Sequence, residues 1–332
     1  MTEEVAADPG GSNGSPSPAD TVAAAVPAEP LAPEYVASFH PGPDDALPDA
    51  FAGACKRLED ALGVPLWLLV QNTSDRDDPL GSLGLAIRNQ FFRARRELAS
   101  CTGAALLIDS PGGYAESAYE IARLFQRHCG GFKSIVPRYA KSAATLLVLG
   151  GPLIMGEDAE LGPLDAQIFD PEREEMLSAL NEVQALERLH LQAVEEVDLM
   201  MPLLQGRTRK KISTLLPMVL DFVASMKSPL LEKLDTVHYT QQARVLKEAE
   251  DYAVRLLQRA GLDEGTAQEI PSRLVNRYPD HSFVIDREEA AEFIPMEAAP
   301  SEDAAMALSD LADFLADNHL VALGRFDAKN AI

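Results

Sequence analysis

The first fifty residues contain no lysine or arginine, yet they hold nine of the chain's 23 prolines. They also lack the basic start and the apolar core of about 7–15 residues that mark a secretion leader. A segment this poor in large apolar residues cannot bury enough surface to offset the entropy of ordering it. Residues 1–48 are therefore expected to be a disordered, acidic, Pro/Ala-rich tail. No run of about 18 apolar residues occurs, so no transmembrane segment is expected. Cysteine is scarce: Cys55, Cys101 and Cys129 are odd in number and far apart, which suits neither a disulfide framework nor a zinc site. The chain reads as cytoplasmic. Positive charge is also short, 29 Lys and Arg against 52 Asp and Glu for a net charge of −23. That balance argues against a nucleic-acid partner or an anionic membrane surface, both of which need clustered cations. The one dense basic run, Arg207-Thr-Arg-Lys-Lys211, reads as a solvated loop or helix face.

Several chemical signatures are missing too. There is no Gly-x-Gly-x-x-Gly, no phosphate loop ending in Gly-Lys-Ser and no His-Glu-x-x-His, and past the first fifty residues there is no Gly-x-Ser-x-Gly. The six histidines form no ligand spacing, and neither a metal nor a cofactor is expected.

What the chain does have is a 46% hydrophobic composition and an alternation of apolar runs with amphipathic stretches. "VPLWLLVQN", "AALLIDS", "KSIVPRYA" and "PLIMG" read as strands covered on both faces. Between them, "GLAIRNQFFRARRELA", "YAESAYEIARLFQRHC" and "SAATLLVLGG" read as helices, the last two closed by paired glycines. This predicts an α/β core over residues 49–170. A helical region follows over 171–262, with Leu and Met at periods of three and four that mark packed helices. Residues 263–332 supply a final strand-helix segment, with a short strand and a helix starting at Asp286, and "AAMALSDLADFLADNHLVALG" reads as a last helix.

Two stretches carry chemistry. "LLIDSPGGYAESA" is a buried strand ending in Ser-Pro-Gly-Gly, whose glycines permit positive φ and close approach of a ligand to the backbone. Exposed N–H groups in such a turn can hold an oxyanion. "YAKSAATLLVLGG" puts Ser142 at the start of a helix, where unpaired amides and the positive dipole end lie. There Ser142 is placed as a nucleophile and the Ala143 amide as a second donor. Taken singly, each has a plainer reading, a turn for the first and an N-cap for Ser142. Their occurrence on consecutive strand-to-helix turns of one sheet favours a site.

"DSPGG", then "AKSAATL", then "MGEDAELGPLDAQ" resembles the Clp-fold serine peptidases, and most of all the serine dehydrogenase proteinase family, relatives of signal peptide peptidase A. The resemblance runs over roughly residues 60–295 and includes "YPDHSFVIDREEA". It implies a Clp/crotonase-like core of repeated ββα units with an added helical region. It also implies oxyanion amides at Gly112 and Gly113, a nucleophile at Ser142 with Ala143 as second donor, a peptide or protein substrate, and assembly as a homo-oligomer. Family members often read Ser-Ala-Gly where this chain has Ser142-Ala143-Ala144. The histidine that Clp protease subunits place after the serine has no counterpart, since the region reads "LGPLDAQ" with Asp165 and Gln167. The lysine of the signal peptide peptidase relatives is absent as well from Gln184 to Val194.

Candidate bases are therefore Lys141, His281, and Lys210 or Lys211. Lys141 is preferred because it is tethered to the site, although helix neighbours diverge by about 100°. The leading reading is a serine endopeptidase acting through an acyl-enzyme on Ser142. The alternatives are a non-catalytic scaffold that kept the fold, and a crotonase-type acyl-CoA enzyme.

Overall fold

The computed structural model describes residues 34–37, 46–73, 78–164, 167–170 and 175–327. In chain order the elements begin with β1 (Glu34–Ala37), α1 (Asp49–Leu62), β2 (Leu66–Asn72), α2 (Leu85–Arg93), α3 (Arg95–Leu98), β3 (Ala104–Asp109) and α4 (Ala115–His128). Next come β4 (Phe132–Val136), β5 (Tyr139–Ala140), α5 (Ala143–Val148), β6 (Leu153–Met155), β7 (Glu160–Leu161), β8 (Gln167–Asp170) and β9 (Glu175–Ser178). The chain continues through α6 (Ala179–Thr208), α7 (Ile212–Leu231), α8 (Thr236–Arg259) and α9 (Glu264–Asn276). It closes with β10 (Ile285–Asp286), α10 (Arg287–Ala291), α11 (Glu302–Asp317) and β11 (His319–Arg325).

The main sheet has the order β1-β11-β2-β3-β4-β6. From β2 to β6 neighbouring strands are parallel, and β11 runs antiparallel to β2. Side chains alternate across a strand, so each strand feeds two cores. Trp67, Leu69, Leu106 and Ile108 enter one, with Phe91 of α2, Phe125 of α4, Leu146 of α5 and Leu256 of α8. Leu66, Leu68, Val70, Ala105 and Leu107 enter the other, with Phe51 of α1 and Leu311 of α11. Helices on both faces explain why these strands are apolar without a break. The architecture is the α/β arrangement expected from the alternation of runs.

A second, smaller sheet has the order β10-β7-β5. It arises because "KSIVPRYA" is two strands, not one: β4 stays in the main sheet, the chain bends at Pro137, and β5 crosses to pair with β7. Each of the units β4-β5-α5 and β6-β7 thus splits its strands between the sheets. The sequence alternation cannot show this, because both halves are apolar.

Three further expectations change. Within the segment expected to be disordered, Glu34–Ala37 form a strand paired with β11, while residues 1–33 and 38–45 lie outside the described residues. The last helix ends at Asp317, and "HLVALGR" is β11, inserted between β1 and β2. Asp235, Asp263, Asp286 and Ser301 cap their helices, the Asp286 cap as anticipated. Finally, α7 has mean hydropathy 1.3 over a span long enough to cross a membrane by length and composition. Its Leu215, Val219, Val223 and Lys227 are buried at intervals of four, and the Lys227 ammonium meets Glu196 of α6 at 3.0 Å. The basic run Arg207–Lys211 sits exposed at the end of α6 and the turn into α7.

Candidate active site

β3 delivers Asp109 and Ser110, both fully buried, to the edge where the main sheet meets β5. The Ser110 amide donates to Tyr139 O at 3.2 Å, and the Lys141 amide donates to Ser110 O at 3.0 Å. This bridge fixes the Ser-Pro-Gly-Gly turn beside the segment leading to Ser142. Beneath it, Arg138 grips Asp109 with Nε at 3.1 Å from Oδ1 and Nη2 at 2.7 Å from Oδ2, and its Nη1 donates to Leu315 O at 2.7 Å. Burial pushes the Asp109 carboxyl up, while the hydrogen bonds and charge of Arg138 pull it the other way. Its orientation is set by the bidentate fork.

The turn itself is held by a polar relay that crosses the apolar core. Gln71 Nε2 donates to Leu80 O at 2.7 Å, Ser110 Oγ donates to Gln71 Oε1 at 2.7 Å, and the Gly112 amide donates to Ser110 Oγ at 3.1 Å. Gln71 and Ser110 are both buried, so each link replaces solvent that the site excludes. On its outer side the turn pairs with Leu83, whose amide donates to Gly112 O at 2.7 Å and whose carbonyl accepts from the Tyr114 amide at 2.8 Å.

Both glycines have positive φ, +100° at Gly112 and +148° at Gly113. A Cβ on Gly112 would lie 2.5 Å from Lys141 O, 2.9 Å from Ser142 Cβ and 3.1 Å from Ala143 N. A Cβ on Gly113 would lie 2.6 Å from Leu83 O and 2.7 Å from Leu83 N. Gly112 therefore presses on the Ser142 segment and Gly113 on Leu83. With bonds of about 1.5 Å, the contact at Gly112 keeps the Ser142 hydroxyl within about 7.5 Å of the Gly112 amide.

Ser142 itself is strained. Its φ is 53° and its ψ −122°, a conformation that costs a residue with a side chain on the order of 1–3 kcal/mol. It precedes α5, yet its side chain makes no capping hydrogen bond to that helix. An N-cap role does not account for it. Thr145, one turn on, anchors the segment through an Oγ1 that lies 2.8 Å from both Ala140 O and Gly162 O.

The expected donors divide. The Gly112 amide donates to Ser110 Oγ. Among the described residues, the Gly113 and Ala143 amides donate to no partner. Lys141 is turned to a different task. Its stem lies over Gly162, and its ammonium meets Glu160 Oε1 at 2.7 Å and Leu161 O at 3.2 Å. These contacts hold the Lys141 Nζ at Glu160 and the Leu161 carbonyl. Lys210 and Lys211 are on the exposed turn before α7. His281 is four residues ahead of β10. Ile285 stands opposite Leu161, which stands opposite Ala140, and β10 runs antiparallel to β7 while β5 runs parallel. The chain entering β10 and the chain leaving β5 toward Ser142 therefore share one end of the small sheet. Asp165 lies outside the described residues, as do the side-chain surroundings of Gln167.

Sequence reasoning overlooked Gln71, Ser110, Arg138 and Leu83. The signal for Gln71 was present, as an amide that ends an apolar run within a strand and yet has its side chain buried.

Residues 86–228 match the family of ClpP-like, SDH-type serine proteinases. The matched stretch holds the Gly-Gly turn, Ser142, α6 and most of α7, and it is the family that the motifs resemble. Two uncharacterized proteins of Methanocaldococcus jannaschii are similar over 102 residues each. MJ0137 is 32% identical, with 28% of this chain and 36% of the relative covered. MJ1495 is 38% identical, with 28% of this chain and 35% of the relative covered. The match thus spans about a third of the length of either relative. Among solved structures, two of the 1510-N membrane-bound stomatin-specific protease are similar. A lysine-to-alanine mutant in complex with a substrate peptide aligns over 67% of this chain and 73% of that chain, at 13% identity and TM-score 0.37. A serine-to-alanine mutant aligns over 73% of this chain and 92% of that chain, at 12% identity and TM-score 0.38.

Proposed function

We propose that the chain is a serine peptidase with Ser142 as nucleophile and the Gly113 and Ala143 amides as oxyanion donors. The carrying observation is the backbone of Ser142, held at φ 53° against Gly112 without serving as a helix cap. The match of residues 86–228 to a serine proteinase family supports the same reading. On this reading Ser142 Oγ attacks the scissile carbonyl and its proton passes to the base. The carbonyl oxygen takes the negative charge at the two amides, the amine leaves with a proton from the base, and water then hydrolyses the ester on Ser142. The base proposed is His281. Support for it comes from the strand register that brings its loop to the Ser142 end of the small sheet, and from the engagement of Lys141 with Glu160. The substrate is a peptide or unfolded protein, and the exposed apolar faces of α6 and α7, such as Leu199, Met218 and Phe222, suit assembly of several copies.

The Lys141–Glu160 pair also favours one second reading, a scaffold that retains the fold without turnover. Incubating an unfolded protein and a mixed peptide pool with wild type and with Ser142→Ala, and reading products by mass spectrometry, tests the choice. New termini with wild type alone support the peptidase. No cleavage by either, from protein shown to be folded, supports the scaffold.

A further inference from the structure

Away from Ser142, α2, the start of α3 and α4 line an open cavity of about 550 Å³. Its charge is opposite to that of the protein. Arg88, Arg95, Arg123 and Arg127 line it against a single carboxylate, Glu120, in a chain whose acids outnumber its bases 52 to 29. Arg88 is paired with Glu120. Among the described residues, Arg95, Arg123 and Arg127 have no carboxylate within ion-pair distance. The C-terminal end of α4 favours cations at Arg127 and His128 but accounts for neither Arg123 nor Arg95 on the same cavity. Two apolar side chains line it as well. Phe92, 48% exposed, carries the Arg95 guanidinium at 4.3 Å from its ring centroid, and Leu124 stands opposite on α4.

We propose that this cavity binds a phosphate-bearing small molecule, with its phosphates on Arg95, Arg123 and Arg127 and an apolar or ring portion on Phe92 and Leu124. Guanidinium forks match phosphate oxygens two at a time, and a multiply charged anion answers three uncompensated cations better than one carboxylate does. The volume lies within the range of ordinary ligand pockets, about 300–1,000 Å³. The walls also connect to the candidate active site. α2 starts two residues after Leu83 and α4 two residues after Gly113, and these two residues form the bridge beside the turn. Anion binding between the helices therefore bears on the segment that presents the Gly113 amide.

Titration calorimetry on the full chain at fixed ionic strength, with ADP and with inorganic pyrophosphate as probes, tests the proposal. The expected result is saturable binding of both, weakened about tenfold or more by Arg123→Gln with Arg127→Gln, a loss of about 1.4 kcal/mol or more. Phe92→Ala should weaken ADP and leave pyrophosphate unchanged. Circular dichroism establishes that the variants fold. Since binding is read directly, the result does not depend on any peptidase activity. Absence of saturable binding of either probe overturns the proposal, as does binding that survives both arginine substitutions. An oligoglutamate peptide that binds where neither phosphate probe does overturns it in favour of an acidic protein partner.

Discussion

The Gly112 amide donates to Ser110 Oγ at 3.1 Å, so the first of the two glycines is tied into the turn through its own N–H. Ser110→Ala removes the donor to Gln71 Oε1 and leaves a buried acceptor unmet, at a cost of about 1–3 kcal/mol. Adding Gln71→Leu should cost less than the sum of the single changes, because the partners act as one relay. Urea unfolding of the four proteins measures this, and strict additivity would show that the relay is not coupled.

Gly112→Ala should be more damaging. Its φ of +100° is unfavourable for alanine, and the new methyl would meet Lys141 O at 2.5 Å, where only backbone movement relieves it. A loss of at least about 1–3 kcal/mol is expected, together with loss of reactivity at Ser142. A variant with the wild-type urea midpoint and unchanged reactivity would show that the turn does not press on Ser142.

Lys141→Met and His281→Ala should part company. The Lys141–Glu160 pair is partly exposed, and its removal should lower stability by about 1 kcal/mol or less while Ser142 remains reactive. His281→Ala should leave stability near that of wild type and remove the acid-side limb of the pH–rate profile, where protonation of the base shuts off the reaction. The reverse pattern would return Lys141 to the role of base.

Stability should fall on the alkaline side. Tyr139 is pushed up to about 12 by burial first and by the Asp109 charge second, and Tyr278 to about 12 by burial and then by its hydrogen bond to Glu289. Burial, and then Cys101, likewise push Cys129 up to about 12. In the unfolded chain these groups lose protons near about 10 for tyrosine and about 8.5 for cysteine. The native state holds the protons more tightly, so its advantage is intact below the unfolded values and is lost as pH rises toward the native ones. Urea midpoints should be level up to about pH 8 and decline between about 8.5 and 12. A flat profile across that window would contradict the burial of these phenols.

Much of the fold was legible because its signals are local. β2, β3, β4 and β6 are apolar runs buried on both faces, and the paired glycines after α4 and α5 mark where those helices stop. The Gly-Gly turn and Ser142 were legible for a similar reason, since a glycine pair and a serine at a helix start are written in adjacent letters. What escaped depends on pairing across long separations. β11 looks like the end of a helix until β2 is beside it, 248 residues away at Leu320 and Asn72. β5 looks like the end of β4 until β7 draws it off. The arginine-lined cavity is invisible in sequence because Arg95 belongs to one wall, while Arg123 and Arg127 belong to the other. The hydrogen bond from the Gly112 amide to Ser110 Oγ escaped for the same reason, since that hydroxyl also donates to Gln71, 39 residues back in the chain.

Labelling of the folded protein with a fluorophosphonate, followed by mass mapping of the modified residue, tests the central claim most directly. The account predicts one adduct, on Ser142, that is lost in Ser142→Ala and slowed in Ser110→Ala. Folded wild-type protein that takes no label, or takes it on another serine, would contradict it.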